Sequence, residues 1–229
     1  MQVSVVLPAL NEAENLKVLI PDIQSAMADL GWEYEIIVVN DGSTDGTREL
    51  LERLSLPDPR IKTIQHSQNQ GYGRALQSGF SMASYTWIFF TDADRQFDIR
   101  EIQNLAVFGE TFDYIAGYRV QRRDHRMRIF NAWLFHLAVR ILFGVHLKDI
   151  DCAFKLIRRE VIQSAHLTSE GAFINTELLI RTQQHGYRIR EVPVSHYPRQ
   201  HGNPTGASPK VIVRAMKEVL RFKFHEIFS

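Results

Sequence analysis

The fold is decided by the stretch WIFFTDADRQ, residues 87–96. Its apolar start, Trp87–Phe90, predicts a buried β-strand. A core cannot hold two unpaired carboxylates, so Asp92 and Asp94 should emerge where that strand ends. Two carboxylates placed in this way can converge on one hard divalent cation, Mg²⁺ or Mn²⁺. A lone DxD pattern is also typical of an exposed acidic turn, so this stretch alone does not distinguish a metal site from a turn.

Short runs of β-forming residues alternate with helical patterns on both sides of this stretch. The expected strands are Val3–Leu7, Tyr34–Val39, Ile61–Gln65, Trp87–Phe90 and Asp113–Ala116. Asn11 and Glu14 have the spacing of a capping box and predict a helix that begins at Asn11. The alternation predicts an α/β fold with a doubly wound, mostly parallel sheet and helices on both faces.

The second half of the chain is less regular. We expect one domain, 1–229, whose C-terminal part covers the edge of the sheet. The expected elements of the second part are an apolar helix 129–145, a segment 148–159 without assigned structure, a helix near Asn175–His185, a strand near Arg190–His196 and a closing loop 198–209.

Polar residues follow four of the expected strands. The four stretches are Pro8–Glu12, Asp41–Ser43, Asp92–Asp94 and Gly117–Arg119. In open α/β sheets, ligands bind outside the carboxyl ends of the strands, and these stretches should meet at that edge. Their agreement favours a metal site at Asp92 and Asp94 over an exposed turn.

Charge is distributed unevenly, although the formal net charge is only +1. Residues 1–116 carry 8 Lys or Arg against 17 Asp or Glu, and residues 117–229 carry 19 against 9. An acidic half joined to a basic half suggests a cation site beside a site for phosphate or an anionic surface. Solvated surface charge is the alternative, and asymmetry alone does not choose between the two.

Several classes of protein are disfavoured. Cys152 is the only cysteine, which excludes an intrachain disulfide and a cysteine zinc site. The first ten residues lack the basic start of a signal peptide, and no apolar run reaches the ~20 residues of a membrane-spanning helix. A pI of about 7.9 without interleaved basic and aromatic residues does not support nucleic-acid binding. We therefore expect a cytoplasmic location, which includes the cytoplasmic face of a membrane.

Several motifs occur in order along the chain. They are VVLPALNE at 5–12, VVNDGSTDGT at 38–47, NQGYGRA at 69–75, DADRQ at 92–96, GYR at 117–119 and KDIDCAFKL at 148–156. This arrangement resembles the inverting family 2 glycosyltransferases with a GT-A fold, in the dolichyl-phosphate mannose synthase-like branch. The resemblance extends to about Gly206. It implies that 1–118 binds the nucleotide-sugar and that 119–229 forms the acceptor side. It also implies transfer of a sugar from a nucleotide-diphosphate donor, a GDP- or UDP-sugar, to a polyprenyl phosphate.

The resemblance implies roles for residues around the donor nucleotide. Pro8, Glu12 and Asp41 should lie around the base and ribose, and Asp41 can accept a hydrogen bond from a base N–H. Gly71 should allow a close approach of the backbone. The family usually has an acidic residue where Asn40 stands, so the identity of the base is left open.

The resemblance also implies roles around the diphosphate and the metal. Asp92 should face the nucleotide, while Asp94 and Gln96 hold Mg²⁺ or Mn²⁺. Arg119 matches the arginine of the family's Gly-Ser-Arg stretch and could bind the donor diphosphate or an acceptor phosphate, since guanidinium groups suit phosphate contacts. Arg199, in the closing loop 198–209, should close over the diphosphate. Further arginines that bind phosphate or belong to a solvated loop are Arg122, Arg123, Arg126 and Arg128.

On the acceptor side, Asp149 matches the family's acidic position, and Asp151 is the competing candidate for the catalytic base. An inverting transfer uses a base to take the proton of the acceptor hydroxyl. A lipid monophosphate is already largely deprotonated, so with that acceptor Asp149 orients the acceptor instead. The alternatives are a transferase with a saccharide hydroxyl acceptor and a non-catalytic nucleotide-sugar-binding subunit of a membrane glycosylation complex.

The helix expected at 129–145 has an apolar stripe. Its members are Ile129, Phe130, Trp133, Leu134, Leu137, Ala138, Ile141 and Leu142. Such a stripe predicts either a helix packed on the core or a helix that lies on a membrane surface with help from neighbouring arginines. Both interpretations stay open at this stage.

Overall fold

The computed structural model of the protein describes residues 1–120, 126–201, 218–219 and 221–223, and for 126–134 it describes only the backbone. Seven strands in the described residues form one sheet. In chain order they are β1 (Gln2–Ala9), β2 (Glu33–Asn40), β3 (Ile61–Gln65), β4 (Trp87–Thr91), β5 (Tyr114–Arg119), β6 (Phe154–Arg158) and β7 (Ile189–Val194). Across the sheet their order is β3-β2-β1-β4-β6-β5-β7.

The sheet is mostly parallel, as the alternation of strands and helices predicts. β2 pairs with β1 and β3, β1 pairs with β4, and β5 pairs with β7, all in parallel. β6 alone runs antiparallel, to β4 on one side and to β5 on the other. The carboxyl ends of the parallel strands therefore lie at one edge, and the start of β6 lies at the same edge.

Helices cover both faces of the sheet. They are α1 (Ala13–Asp29), α2 (Thr47–Ser55), α3 (Tyr72–Met82), α4 (Ile102–Ala106), α5 (Arg126–Phe143), α6 (Arg159–Ser164) and α7 (Ile174–Gln184), with a 3₁₀ turn at Ile99–Glu101. Because successive side chains of a strand point to opposite faces, Val5 joins the core under α1 while Val6 joins the core under α3. This burial on both faces explains why the strands read as continuous apolar runs.

Helix α1 begins at Ala13, so the predicted capping box of Asn11 and Glu14 is wrong. Asn11 has a left-handed backbone (φ 58°), and its side-chain oxygen accepts a hydrogen bond from the N–H of Thr44 at 2.8 Å. The N–H of Ala13 is capped instead by Asp45 Oδ2, at 3.2 Å. The loop after β2 supplies this acceptor, so the cap depends on tertiary structure rather than on local spacing.

The segment 148–159, to which the sequence assigns no structure, contains β6. Thr91 of β4 pairs with Phe154, and Ala116 of β5 pairs with Lys155. Because β6 is antiparallel to both neighbours, the residues that precede it, 149–152, lie beside the residues that follow β4 and β5. This insertion brings the expected acceptor residues to the expected donor residues.

Helix α5 spans Arg126–Phe143 rather than 129–145. From residue 135 onward its side chains divide between the core and solvent. Val139 is fully buried, whereas Leu137 is 36% and Ile141 73% exposed. None of the helices in the described residues is long and apolar enough to cross a membrane.

Candidate active site

Charged side chains from four strand ends meet at the carboxyl edge of the sheet. Glu12 follows β1, Asp92 and Asp94 follow β4, Arg119 ends β5 and Asp149 precedes β6. The chain bends sharply where it leaves the sheet here, since the non-glycine residues Asn11 and Arg95 have φ angles of 58° and 59°. Backbone of this kind is often found at functional sites, where surrounding contacts hold it in place.

Arg199 joins two of these carboxylates across the edge. Its Nη2 donates to Glu12 Oε1, and its Nη1 lies 3.4 Å from Asp94 Oδ2. Its Nε donates to the carbonyl of His201 at 2.6 Å, which fixes the guanidinium within its own segment. The structure thus places Arg199 beside the acidic residues expected to bind the donor and the metal.

The carboxylates of this edge suit a divalent cation. Asp92 Oδ1 is buried and makes no hydrogen bond of ordinary geometry within the described part of the chain, although the Tyr72 hydroxyl lies near enough to the Asp92 carboxylate to oppose the rise in its pKa. Burial and the neighbouring Asp92 carboxylate raise the pKa of Asp94 to about 6. Burial is also the main cause of the raised pKa values of Asp92 and Glu12. Carboxylates held together in this way favour a nearby positive charge.

The described residues contain no group of three acidic, histidine or cysteine side chains that could enclose a metal by themselves. Mg²⁺ and Mn²⁺ are commonly held by one or two carboxylates together with water and substrate phosphate oxygens. Gln96 lies beside Asp94, and its N–H donates to Asp94 Oδ1 at 3.2 Å. Its side-chain amide donates to the carbonyl of Tyr197 at 3.0 Å, so its role as a metal ligand stays a prediction.

Asp41 is fixed at the end of β2 by three hydrogen bonds from the chain. Its Oδ1 lies 2.7 Å from Nδ1 of His66 and accepts the N–H of Gln70 at 2.9 Å. Its Oδ2 accepts the N–H of Gly71 at 2.9 Å. A carboxylate offers about four lone-pair positions, so one position remains for a base N–H. Pro8 lies on the neighbouring strand, where it pairs with Val39.

His66 was not among the residues predicted from the sequence. It immediately follows β3, so it belongs to the same edge as the other strand-end residues. Its Nε2 lies 3.0 Å from the hydroxyl of Ser78, while its Nδ1 faces Asp41. A polar residue directly after an apolar strand was the signal that could have identified it.

The neutral residue at position 40 also has a structural role. Asn40 donates from Nδ2 to Gln65 Oε1 at 2.7 Å and accepts the N–H of Ser43 at 3.0 Å. An aspartate at this position could accept the second bond but could not donate the first. Asn40, the residue that departs from the family pattern, therefore forms a partly buried amide pair with Gln65 beside Asp41.

The close approach expected at Gly71 occurs, and the backbone that approaches belongs to the chain itself. A Cβ on Gly71, whose φ is 103°, would lie 2.7 Å from the carbonyl oxygen of Glu170. A Cβ on Gly73 would lie still closer to the backbone of residues 169–171, and the N–H of Gly73 donates to the same carbonyl at 2.9 Å. The two glycines thus allow residues 169–171 to pack on the start of α3.

Arg119 and Asp149 form a two-point ion pair. Arg119 Nε lies 2.7 Å from Asp149 Oδ2, and Nη2 lies 2.8 Å from Oδ1. Both side chains are buried, at 6% and 4% exposed. Burial lowers the pKa of Arg119, but the Asp149 carboxylate outweighs it and holds that pKa above its ordinary value. Asp149 therefore fixes the orientation of the guanidinium at the end of β5.

Asp151 lies in a different environment, opposite a histidine that the sequence analysis left unassigned. Its Oδ2 is 3.2 Å from Nε2 of His136, and its side chain is 37% exposed. Burial raises the pKa of Asp151, but the hydrogen bond with His136 and the charge of His136 leave it below the ordinary value. Asp149 and Asp151 are thus brought to the same edge and are held by different partners.

Some predicted residues lie outside the described residues. They are Arg122 and Arg123, the side chains of Arg126 and Arg128, the apolar side chains of the stripe from Ile129 to Leu134, and the closing loop beyond His201.

The order of the strands in the sheet and the acidic residues after β4 point to a fold class that can be compared with solved structures. The structure superposes with a TM-score of 0.75 on glucosyl-3-phosphoglycerate synthase from Mycobacterium tuberculosis, a protein solved in complex with Mg²⁺ and UDP. The identity is 21%, and the match covers 96% of this chain and 78% of the synthase. A complex of the same synthase with Mn²⁺, UDP and glucosyl-3-phosphoglycerate also gives 0.75, at 22% identity over 96% of this chain and 79% of the synthase. The fold is therefore the GT-A fold.

The profile of the family described as Glycosyl transferase family 2 matches residues 4–165, and the chain belongs to this family. Similar proteins include two that are named undecaprenyl-phosphate 4-deoxy-4-formamido-L-arabinose transferase. The protein from Pseudomonas fluorescens (strain Pf0-1) is 30% identical over 220 residues, which cover 95% of this chain. The protein from Yersinia pestis (strain Pestoides F) is 32% identical over 205 residues, which cover 88% of this chain. The chain spans only 64% and 62% of the length of these two relatives.

Proposed function

We propose that the protein transfers a sugar from a nucleotide-diphosphate donor to a polyprenyl phosphate, with inversion at the anomeric carbon. Family membership and the names of the relatives support the class of reaction and the class of acceptor. The observation that carries the proposal is the meeting of Glu12, Asp92 and Asp94 with Arg119 and Arg199 at one edge. A leaving diphosphate needs both cations that neutralise it and groups that orient it.

On the donor side, each residue has a task that its geometry supports. Asp41 accepts a base N–H with its remaining lone pair, and its three contacts to the chain keep it fixed. Asp92 and Asp94 hold Mg²⁺ or Mn²⁺, with Gln96 as a further ligand. The bound cation supplies neutralisation of the charge that develops on the leaving diphosphate. Arg199 then turns from the carboxylates to the phosphate oxygens, which guanidinium groups bind well.

On the acceptor side, the ion pair of Arg119 and Asp149 favours a phosphate over a hydroxyl. A carboxylate that accepts two hydrogen bonds from a buried guanidinium is a weak base for an alcohol. A polyprenyl monophosphate needs no such base, because its second pKa is about 6 and it arrives largely deprotonated. Asp149 then orients Arg119 toward the acceptor phosphate, and Asp151 lies close enough to contribute to acceptor binding.

A saccharide hydroxyl acceptor remains the competing proposal, with Asp151 as the base. Its side chain is 37% exposed and is paired with His136 rather than with an arginine. In that case Asp151→Asn should abolish transfer, whereas Asp149→Asn should mainly raise the KM for the acceptor. With a lipid phosphate acceptor, Asp151→Asn should retain a measurable transfer rate. Steady-state kinetics of the two variants decide between these acceptors.

Contact with a membrane surface is part of the proposal. Leu137 and Ile141 are four residues apart on α5, so they lie on one exposed side of the helix. Exposed apolar side chains on a helix of this kind can enter the headgroup region of a bilayer. We expect Leu137→Glu with Ile141→Glu to reduce sedimentation with anionic vesicles and to leave thermal stability unchanged. The exposed Leu56, which is 89% exposed and lies at the end of α2, provides a matched control as Leu56→Glu.

The decisive test is direct. The protein is incubated with Mn²⁺ or Mg²⁺, radiolabelled GDP- or UDP-sugars and a polyprenyl phosphate, and the label is followed into the lipid phase. Asp94→Asn should lose most of the transfer, because a carboxylate ligand is replaced by a neutral amide. Unchanged transfer in Asp94→Asn would refute the metal assignment. Donor binding by calorimetry without turnover on lipid or saccharide acceptors would favour a non-catalytic binding subunit instead.

A further inference from the structure

Lys155 is a buried cation in the middle of the sheet. It lies on β6 and is 1% exposed, and it pairs with Phe90 of β4 on one side and with Ala116 of β5 on the other. Its ammonium group is 5.3 Å from the centre of the Phe90 ring. Burying a charge in such a place is costly, because water cannot solvate it. Such a charge is tolerated only where buried acceptors compensate for the lost water.

The ammonium group is bound by three uncharged oxygens. Nζ donates to the carbonyl of Ile150 at 3.1 Å, to the carbonyl of Cys152, and to Asn175 Oδ1 at 3.3 Å. An ammonium group has three N–H donors, so all three are used. Two of the three acceptors belong to the turn 149–152, which closes through the N–H of Cys152 and the carbonyl of Asp149 at 3.4 Å.

Alternate residues of this turn face in different directions. The carbonyls of Ile150 and Cys152 bind Lys155, whereas the side chain of Asp149 binds Arg119 and the side chain of Asp151 binds His136. Fixing the two carbonyls therefore fixes the directions of both carboxylates. Burial lowers the pKa of Lys155, and the nearby acidic groups, which include Asp149 and Asp151, oppose this shift at longer range.

We propose that Lys155 is a positioning residue for the acceptor side, which holds the turn 149–152 so that Asp149 and Asp151 keep their separate partners. The role of Lys155 in sugar transfer rests on the proposed function, whereas its hydrogen bonds to the turn 149–152 do not depend on that function. Lys155 makes none of its hydrogen bonds to Glu12, Asp92 or Asp94 in the described residues, although its charge acts on Asp92 at longer range, so donor binding should change much less than transfer when Lys155 is replaced.

The first measurement is hydrogen exchange, which requires no turnover. Lys155→Met keeps a long unbranched side chain and removes the three donors. Exchange in a peptide that covers 148–153 should become at least about tenfold faster, while peptides from β1 and β2 keep their protection. The matched control is Ile157→Ala, a truncation at a fully buried position on the same strand and the same side of it. It should lower the melting temperature and leave the exchange ratio between 148–153 and the rest of the sheet unchanged.

The second measurement separates donor binding from transfer. In Lys155→Met, kcat should fall about 100-fold, as expected when reacting groups are displaced by about 1 Å. The Kd for the nucleotide diphosphate with Mn²⁺ should stay within about threefold of the wild-type value. Asn175→Ala removes one acceptor and keeps the lysine, and it should change exchange and kcat in the same direction by a smaller factor. Asn175→Ala also replaces Lys155→Met in both measurements if that variant fails to fold.

The outcomes distinguish this proposal from the proposed function. Wild-type-like exchange at 148–153 in Lys155→Met, or in Asn175→Ala if the first variant does not fold, overturns the role of Lys155. Equal losses of donor affinity and kcat in Lys155→Met and Ile157→Ala also overturn it, because they indicate a general effect on stability. If the wild-type protein transfers no sugar, the proposed function fails, and the exchange experiment still decides whether Lys155 holds the turn.

Discussion

Replacing Arg199 with methionine should tighten the binding of a divalent cation and slow sugar transfer. In the structure, the guanidinium lies between Glu12 and Asp94, where it provides the positive charge that these carboxylates need. A cation that binds Asp94 must therefore compete with Arg199. Once Arg199 leaves the carboxylates, it is expected to bind the diphosphate. Its loss should therefore raise the affinity for the cation and lower the rate of transfer.

The size of the competition follows from the distance and the burial. At 3.4 Å from Asp94 Oδ2, the attraction amounts to about 5 kcal/mol before desolvation is counted, for an effective dielectric constant of about 20. The side chains of Arg199 and Asp94 are 19% and 10% exposed, so solvent and desolvation offset most of this attraction. We take about 1–2 kcal/mol as the net attraction between Arg199 and Asp94. Removing it should lower the Kd for Mn²⁺ about tenfold.

The assay is a titration with Mn²⁺ in the absence of nucleotide, in which free Mn²⁺ is followed by electron paramagnetic resonance. The matched control is Arg95→Met, because Arg95 is another cation of the same region whose Nη1 donates to Gln200 Oε1 at 2.9 Å rather than to a carboxylate. Transfer should fall about 10²–10³-fold in Arg199→Met, as when a donor to a developing charge is removed. An unchanged Mn²⁺ affinity, or an equal gain in Arg95→Met, would refute the competition.

Three further predictions concern stability. Gly73→Ala should lower the free energy of unfolding in urea by about 2–3 kcal/mol, because its Cβ meets fixed backbone atoms, whereas Gly46→Ala, with nothing within 4 Å, should be nearly neutral; equal effects contradict the packing described. Burial raises the pKa of Glu35, but hydrogen bonds from lysine and serine outweigh it and leave that pKa below 4.5. Glu35 therefore stabilises the fold above pH 4.5. The loss of unfolding free energy in Glu35→Gln should be complete at neutral pH and should disappear as the pH falls through the folded-state pKa of Glu35. A loss that does not depend on pH contradicts this. Asn40→Asp should cost about 1–3 kcal/mol in thermal denaturation, because it buries a second carboxylate beside Asp41 and its glutamine partner offsets only part of this cost by turning its unpaired Nε2 toward that carboxylate; an unchanged stability contradicts this.

The parts of the fold that could be predicted are those that local sequence determines. Trp87–Thr91 is fully apolar up to its threonine and is buried on both faces, so its continuous pattern identifies both a strand and the layer of helices on each side. The position of Asp92 and Asp94 at the exit follows from the cost of burying charge. The convergence of the strand ends then follows from the parallel order of the sheet.

The parts that could not be predicted depend on contacts between distant residues. β6 is five residues long and contains a buried lysine, so no apolar period reveals it. The pairing of Arg119 with Asp149 exists only because β6 is inserted beside β5. The cap of α1 comes from Asp45, and the partners of Arg199 lie far from it along the chain. In each case the residue type was informative, but its partner was decided by topology.

The insertion of β6 between β4 and β5 has a consequence for the evolution and engineering of this fold. A cut after residue 118 leaves β4 and β5 without the strand that joins them, because that strand comes from the other half of the chain. The parts 1–118 and 119–229, to which we assign donor and acceptor binding, should therefore not be exchangeable between relatives as separate modules. A change of acceptor must arise by substitution within the existing sheet, and grafts should be confined to the loops that leave its carboxyl edge.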